Sequence, residues 1–359
     1  MNITVVGGGN IGTQFAVHCA KKQHRVMIYT SKSERFHHHL YIVDEKGATI
    51  HEGDMIGATG DAGKAFGDAD IIFVTVPAFC MKDVADKVYP YVKEGTKIGL
   101  IPGTGGGECA FRKCLEKGVI LFGLQRVPSV ARLVEYGKSV CATGYRKELH
   151  VAALPHHNTE EIRDMISGIF DMPCIALPNY LNLTLTPSNP ILHTTRLRTL
   201  FKDYQEGVTY DSVPLFYEEW DDETSKLLFE CDDEVQRICK ALEHFDLSYV
   251  KSLKIHYESE TPGQLTKKIS SIQGFKGLTT PTVEANGRYI PDLLSRYFTA
   301  DFSFGLEILV QVADLIGIDV PYMKEILSWY GRIATVEDKF DFSDYGINDI
   351  HDFTELYNL

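Results

Sequence analysis

Near the amino terminus, Gly7-Gly8-Gly9-Asn10-Ile11-Gly12 fits the pattern G-x-G-x-x-G. It follows the apolar run Ile3-Thr4-Val5-Val6 and opens a segment of helical character over residues 11–22. Arg25-Val26-Met27-Ile28-Tyr29-Thr30 then reads as a second strand. In such a strand–turn–helix–strand unit the pattern binds a dinucleotide. Gly7 permits the tight turn, Gly9 lets a pyrophosphate approach the backbone, and Gly12 lets helix and strand pack closely. The helix N-terminus, with Asn10 and Ile11 in its first turn, offers free N–H groups and a partial positive charge to the phosphates. An unmodified ribose is usually met by an Asp or Glu at the end of the second strand. This chain instead places Thr30, Ser31, Lys32 and Arg35 there. Hydroxyls and two cations suit a 2′-phosphate, so NADP(H) is favoured over NAD(H), although the same residues would also make an ordinary solvated loop. Val76 and Pro77 end the apolar run 71–76 at the carboxyl edge, where the nicotinamide half should run. The turn Pro102-Gly103-Thr104-Gly105-Gly106-Gly107 lies at the same edge, either as a second phosphate cradle or to bring backbone close to cofactor or substrate.

A second constellation lies far along the chain, in Ser188-Asn189-Pro190-Ile191-Leu192-His193-Thr194-Thr195-Arg196-Leu197 and in Ser295-Arg296-Tyr297-Phe298-Thr299-Ala300-Asp301. Here the sequence resembles the opine dehydrogenase family (octopine and nopaline dehydrogenases), whose helical domain carries Asn-Pro-x-x-His and an Arg-Tyr-x-Thr-x-Asp segment leading into a helix. Phe216-Tyr217-Glu218-Glu219 is similar to the family as well, and so is Pro128-x-x-x-Arg132 followed by Tyr136-Gly137-Lys138. The resemblance implies a reductive condensation. The amino group of an amino acid joins an α-keto acid (pyruvate is the family's usual partner), and the nicotinamide reduces the imine to a secondary amine. It further implies that His193 is the acid/base, Asp301 its orienting carboxylate, and Arg296 the anchor for a substrate carboxylate.

Elementary chemistry agrees. A carbonyl or imine needs a proton as hydride arrives, and His titrates near working pH. A carboxylate on the other ring nitrogen fixes the tautomer and steadies the imidazolium. A keto acid carboxylate suits an Arg fork. Plainer roles stay open. His193 could be a satisfied core residue, Asp301 a helix N-cap, and Arg296 a surface ion pair. Asn189 either hydrogen-bonds substrate or only shapes the turn before Pro190.

The elements that must position these residues differ between the halves of the chain. Strands over 2–6, 25–30, 71–76, 98–101 and 119–122 alternate with helical stretches, and 138–155 and 172–177 are expected to extend the same sheet. This predicts an α/β, Rossmann-type, doubly wound parallel sheet. From about residue 188 the apolar spacing becomes helical. Leu227, Leu228, Cys231, Val235, Ile238, Cys239, Leu242 and Phe245 follow one helix face, and further helices are expected over 303–316 and 321–330. The domain expectation is a dinucleotide-binding domain over 1–183 and an all-α substrate domain over 184–359, with an acidic–aromatic tail, 337–359, wrapped on the surface.

The chain has 359 residues, enough for two domains, and 36 basic against 49 acidic side chains give a net charge of -13. That balance argues against nucleic acid or an anionic membrane as the main partner, but not against small anionic substrates beside a local Arg. No apolar run reaches the length of a membrane helix. The amino terminus enters a strand at once, so a secretory signal is not expected. The eight cysteines form no C-x-x-C pair and read as reduced thiols of a cytoplasmic protein. A homodimer is compatible with this composition. No metal site is expected, because His37-His38-His39 and His156-His157 lack paired ligands at metal spacing. Two competing readings are a ketoacid reductase of the ketopantoate reductase type, which would need a catalytic Lys, and a non-catalytic dinucleotide sensor, which would need no proton donor.

Overall fold

Largely apolar runs make strands that are buried on both faces, and the sheet is built around four of them. The computed structural model describes residues 1–187 and 189–359. Ser188, which opens the stretch containing His193, lies outside the described residues. Two compact units result, Met1–Thr184 with Phe353–Leu359, and Leu185–Asp352.

In the first unit, strands β1 (Asn2–Val6), β2 (Arg25–Tyr29), β5 (Gly57–Thr59), β6 (Ile71–Val74), β7 (Lys97–Leu100), β8 (Ile120–Leu124), β11 (Leu149–Leu154) and β12 (Cys174–Ala176) form one sheet. Its order is β12-β11-β8-β7-β6-β1-β2-β5. The strands from β8 to β5 run parallel, β11 pairs antiparallel to β8, and β12 runs parallel to β11. The chain moves from β1 outward to β2 on one side and later to β6 on the other. The switch in winding direction therefore falls at the carboxyl end of β1, where the glycine turn lies and helix α1 (Asn10–Lys21) begins.

Residues 138–155 do not all extend this sheet as expected. β11 does, but β10 (Ser139–Thr143) joins β3 (His39–Val43), β4 (Thr49–Asp54) and β9 (Val130–Glu135) in a separate sheet, ordered β4-β3-β10-β9. β3 alternates buried Leu40 and Ile42 with less buried neighbours, the period of a one-sided strand. Gly53 lets β4 lie directly on α1, since a Cβ there would stand 2.7 Å from that of Ala20. Through β4 the histidine run acquires acidic partners that its sequence spacing does not reveal. His39 Nδ1 is 2.7 Å from Asp54 and its Nε2 3.2 Å from Glu52, and hydrogen bonds to these two carboxylates raise its pKa.

The second unit is organised by helices α3 (Asn189–Leu200), α4 (Asp222–Ala241), α6 (Glu307–Leu315) and α7 (Pro321–Ile333), together with a short helix α5 (Arg296–Thr299); helix α2 (Thr159–Phe170) belongs to the first unit. Asp221 caps α4 by accepting from Thr224 N, and Leu228, Cys231, Val235 and Ile238 form its buried stripe. The expected helix over 303–316 begins instead with a π turn, Phe302–Leu306, in which Leu306 N bonds Asp301 O. The unit also carries a hairpin, β13 (Thr282–Ala285) and β14 (Arg288–Pro291), closed by Asn286-Gly287 with both φ angles positive.

The tail is not a surface wrap. Phe340, Phe342 and Ile347 are buried, and helix α8 (Ile350–Tyr357) buries Phe353, Leu356 and Tyr357 while Glu355 between them is exposed. Its last seven residues group with the first unit, whereas the sequence reading placed them in the helical domain. There Tyr357 O–H donates to Glu108 Oε1 at 2.8 Å, and Thr184 O–H donates to the same oxygen at 2.6 Å. Burial pushes the Glu108 carboxyl above its ordinary value.

Candidate active site

The glycine turn has the shape a pyrophosphate needs. Gly7 adopts φ +102°, and a Cβ on Gly12 would stand 1.8 Å from Gly7 O, so only glycine lets α1 start this close to β1. A Cβ on Gly9 would meet nothing within 4 Å, and no side chain caps the helix at that position. Open space in front of uncapped N–H groups fits a dinucleotide's phosphates. Asn10 faces elsewhere: its side-chain oxygen accepts from Leu133 N at 2.8 Å, tying α1 to β9. Ile11 packs against the core of the unit. Val76 lies two residues past β6 with its side chain 3.1 Å from a Cβ built on Gly7, and Pro77 beside it is exposed. Gly103 closes on the chain itself, since a Cβ there would meet Gly123 Cα at 2.9 Å and the Tyr180 hydroxyl at 3.1 Å.

At the end of β2, Thr30 is half-buried, and Ser31, Lys32 and Arg35 are exposed. Two aromatic residues that the sequence reading did not assign to this place close over it. Phe36 sits where any side chain on Gly8 would go, 2.4 Å from the position of its Cβ. The Tyr136 hydroxyl is 3.4 Å from Thr30 Oγ1, and its ring lies under both cations, 5.8 Å from Lys32 Nζ and 4.8 Å from Arg35 Cζ. Among the described residues no carboxylate pairs with Lys32 or Arg35.

In the second unit, α3 carries His193 in its second turn, facing inward. His193 Nδ1 lies 2.7 Å from Asp301 Oδ2, and Nε2 lies 2.6 Å from the Tyr217 hydroxyl. His193 and Tyr217 are buried, and Asp301 is half-buried. Asp301 is not a side-chain N-cap; its carboxylate makes no capping bond and points to the imidazole. Its approach depends on Gly305 in the π turn, where a Cβ would stand 3.0 Å from the ring of Pro190 in the first turn of α3. Tyr297 and Phe216 close the sides of the imidazole, with ring centroids 4.5 and 5.5 Å away. Arg296 opens the short helix α5 beside Tyr297 and is exposed; among the described residues no carboxylate pairs with it. Asn189 is exposed at the start of α3. The structure thus brings together His193 and Asp301, sets Arg296 beside a ring that touches His193, and leaves Asn189 at the surface.

Tyr217 and Arg196 were not singled out by sequence, and they complete this cluster. Arg196 lies one turn beyond His193 and is fully buried. Its Nε donates to Phe216 O at 3.0 Å, Nη2 to Glu219 O at 2.6 Å and Leu215 O at 3.4 Å, and Nη1 to Asp221 at 2.6 Å and Thr224 Oγ1 at 3.4 Å. Removing it would leave buried acceptors without donors, a loss on the order of 3–5 kcal/mol. Burial lowers the Arg196 pKa against the pull of Asp221. Burial, then the nearby Tyr297, Tyr257 and Asp301, raise the Tyr217 phenol well above its ordinary value. A His inside an apolar helix was the available signal for a buried polar cluster; nothing in the local spacing named its third member.

A winding-switch phosphate cradle in one unit and a buried His–Asp pair in an otherwise helical one define a class, the dinucleotide-dependent oxidoreductases. Two family models match. One, NAD-dependent glycerol-3-phosphate dehydrogenase N-terminus, covers residues 2–104, and the other, NAD/NADP octopine/nopaline dehydrogenase, alpha-helical domain, covers 176–334. The chain is 29% identical to tauropine dehydrogenase of Arabella iricolor over 78% of its own length and 73% of the relative's. It is 26% identical to opine dehydrogenase of Haliotis discus hannai over 96% and 94%. Octopine dehydrogenase solved with NADH and L-arginine superposes with a TM-score of 0.85 at 21% identity, covering 98% of this chain and 97% of that one. Over most of its length the chain is similar to opine dehydrogenases, and residues 176–334 match that family's helical-domain model. No helix of the described residues is long and apolar enough to cross a membrane.

Proposed function

We propose that this protein reductively condenses an amino acid with an α-keto acid, pyruvate being the first to test, to give a secondary amine. The observation that carries the reading is the buried His193–Asp301 pair at 2.7 Å, which lies within the stretch matched by the family's helical-domain model. His193 handles the proton needed to expel the keto oxygen as water and form the imine, and Asp301 holds its Nδ1 and steadies the imidazolium. The exposed Arg296, with which no carboxylate among the described residues pairs, receives a substrate carboxylate as a two-pronged donor. Asn189 is assigned a weaker part, a polar contact to substrate. A reduced nicotinamide dinucleotide, bound through Gly7, Gly9 and Gly12, would supply the hydride that reduces the imine.

NADP(H) is the proposed cofactor and NAD(H) the second choice. Lys32 and Arg35 converge on the Tyr136 ring without an acidic partner among the described residues, beside a strand end that carries Thr30 and Ser31 and no acid, and this supports a 2′-phosphate site. The eight free cysteines support a reducing, cytoplasmic location. A ketopantoate-type reductase would need a lysine at the reacting centre, and among the described residues no lysine bonds to the His193 cluster. A dinucleotide sensor would have no use for a buried His–Asp pair.

The test is a matrix of α-keto acids against amino acids, followed by the absorbance of NADPH and of NADH, with product mass measured. Oxidation that requires both substrates and yields the mass of their reduced condensate is expected. Equal oxidation with the keto acid alone would favour the ketoacid reductase.

A further inference from the structure

The Tyr217 hydroxyl occupies His193 Nε2, the ring nitrogen left free by Asp301, at 2.6 Å. A histidine acting alone would need that nitrogen vacant, so Tyr217 must either swing away or stay and carry the proton onward. Its surroundings resist displacement. Arg196 grips the carbonyls on both sides of it, those of Leu215 and Phe216 before and Glu219 after. The ring itself is stacked on Phe275, with centroids 4.2 Å apart and planes at 19°, and it runs parallel to Trp220 at 6.2 Å. The helix that carries His193 also carries the clamp, three residues on, so imidazole and hydroxyl are fixed to one rigid element.

We propose that Tyr217 passes the proton between His193 and the substrate, and that Arg196 is the positioning residue that holds its hydroxyl in line. The reading rests on the condensation proposed above. In the step concerned, the His193 imidazolium gives its Nε2 proton to the Tyr217 oxygen while the Tyr217 O–H gives its own proton to the hydroxyl of the amine–keto acid adduct. The C–O bond breaks, water leaves, and the nitrogen lone pair forms the C=N bond. His193 ends neutral, Tyr217 is unchanged, and the positive charge passes to the iminium. A phenol whose ionised form is disfavoured by burial cannot release a proton on its own, so the two transfers are coupled. A hydroxyl is suited to this, since it accepts on one lone pair while donating its hydrogen.

The experiment uses the full chain with pyruvate and the best amino acid from the matrix. Tyr217→Phe keeps the stacked ring and removes only the oxygen. It should lower kcat at least about 100-fold, with the dinucleotide Kd and the pyruvate KM within about threefold. In H2O/D2O mixtures the parent should give a curved dependence of kcat on deuterium fraction, from two protons in motion, and the residual Tyr217→Phe activity a linear one. Arg196→Lys, which keeps the charge but loses the fork, should lower kcat about tenfold with little change in pyruvate KM. If that variant does not fold, Tyr217→2,3-difluorotyrosine supplies the second readout: a more acidic phenol at the same position should move the kcat–pH profile. A Tyr217→Phe enzyme within threefold of the parent kcat, or a pH profile unmoved by the fluorinated residue, overturns the relay. If His193→Ala is inactive while Tyr217→Phe is normal, the relay alone fails. If the parent turns over no pair in the matrix, the condensation fails and the relay with it.

Discussion

The two units place their chemistry by opposite means. In the first, the proposed phosphate cradle is backbone, confined to six consecutive residues and shaped by the missing Cβ atoms of Gly7, Gly9 and Gly12. In the second, the proposed proton-handling cluster is side chains drawn from three segments, with Tyr217 at 24 and Asp301 at 108 residues from His193. A backbone site needs one turn to form. A side-chain site needs every supporting contact, and so the helical unit depends on buried polar groups such as Arg196. The same holds for its helix ends. Two carboxylates of α4 cap other helices: Asp232 accepts from Leu253 N at 2.7 Å, and Glu234 from Tyr322 N and Met323 N at 2.9 Å.

The contrast can be broken at several points. The largest effect is expected from His193→Ala, which should lower kcat by about 10²–10⁴-fold while calorimetry finds the dinucleotide Kd within about twofold of the parent. Substantial residual turnover would show that the side-chain cluster is not where the proton is handled. Next, Asp301→Asn should lower kcat by about 10²-fold, since an amide no longer enforces the Nδ1–H tautomer; activity near the parent would reduce Asp301 to a packing residue. Smaller again, Lys32→Ala combined with Arg35→Ala should raise the NADPH Kd about tenfold, on the order of 1.4 kcal/mol, and leave NADH unchanged. Equal losses for both dinucleotides would mean that these cations do not read a 2′-phosphate, and that the cradle is generic throughout.

The smallest effect concerns stability against pH. Burial pushes the Asp232 carboxyl from 3.8 up to about 7. The folded chain therefore keeps this proton longer than the unfolded one. Its favourable contribution is complete below pH 3.8, declines as pH rises toward 7, and is constant above. Asp232→Asn lacks this slope. Its Tm relative to the parent should rise by a few degrees between pH 4.5 and 7.5 and then level off; a gap independent of pH would contradict the burial cost.

How far each region could be read from sequence follows from the same contrast. The strands β1, β6, β7 and β8 announce themselves because a strand buried on both faces is a run of largely apolar residues. β3 and β4 were missed because a one-sided strand with His39, Glu52 and Asp54 on its open face looks like a polar loop. His193 and Asp301 were found through motif resemblance, and their pairing is a tertiary fact that no spacing contains. Tyr217 lay in a segment already recognised as family-like, yet its place on Nε2 depends on the Arg196 clamp. Asn10, read as a cofactor residue from its position in the turn, spends its side-chain oxygen on Leu133.

The return of residues Phe353–Leu359 to the first unit has a consequence for biosynthesis. The helical unit is an insertion, entered after Thr184 and left after Asp352, so the dinucleotide unit remains unfinished while the whole insert is translated. Until Tyr357 has been made, Glu108 lacks its hydroxyl. Nascent chains would thus complete the unit begun first only after the insert, which is free to fold before it.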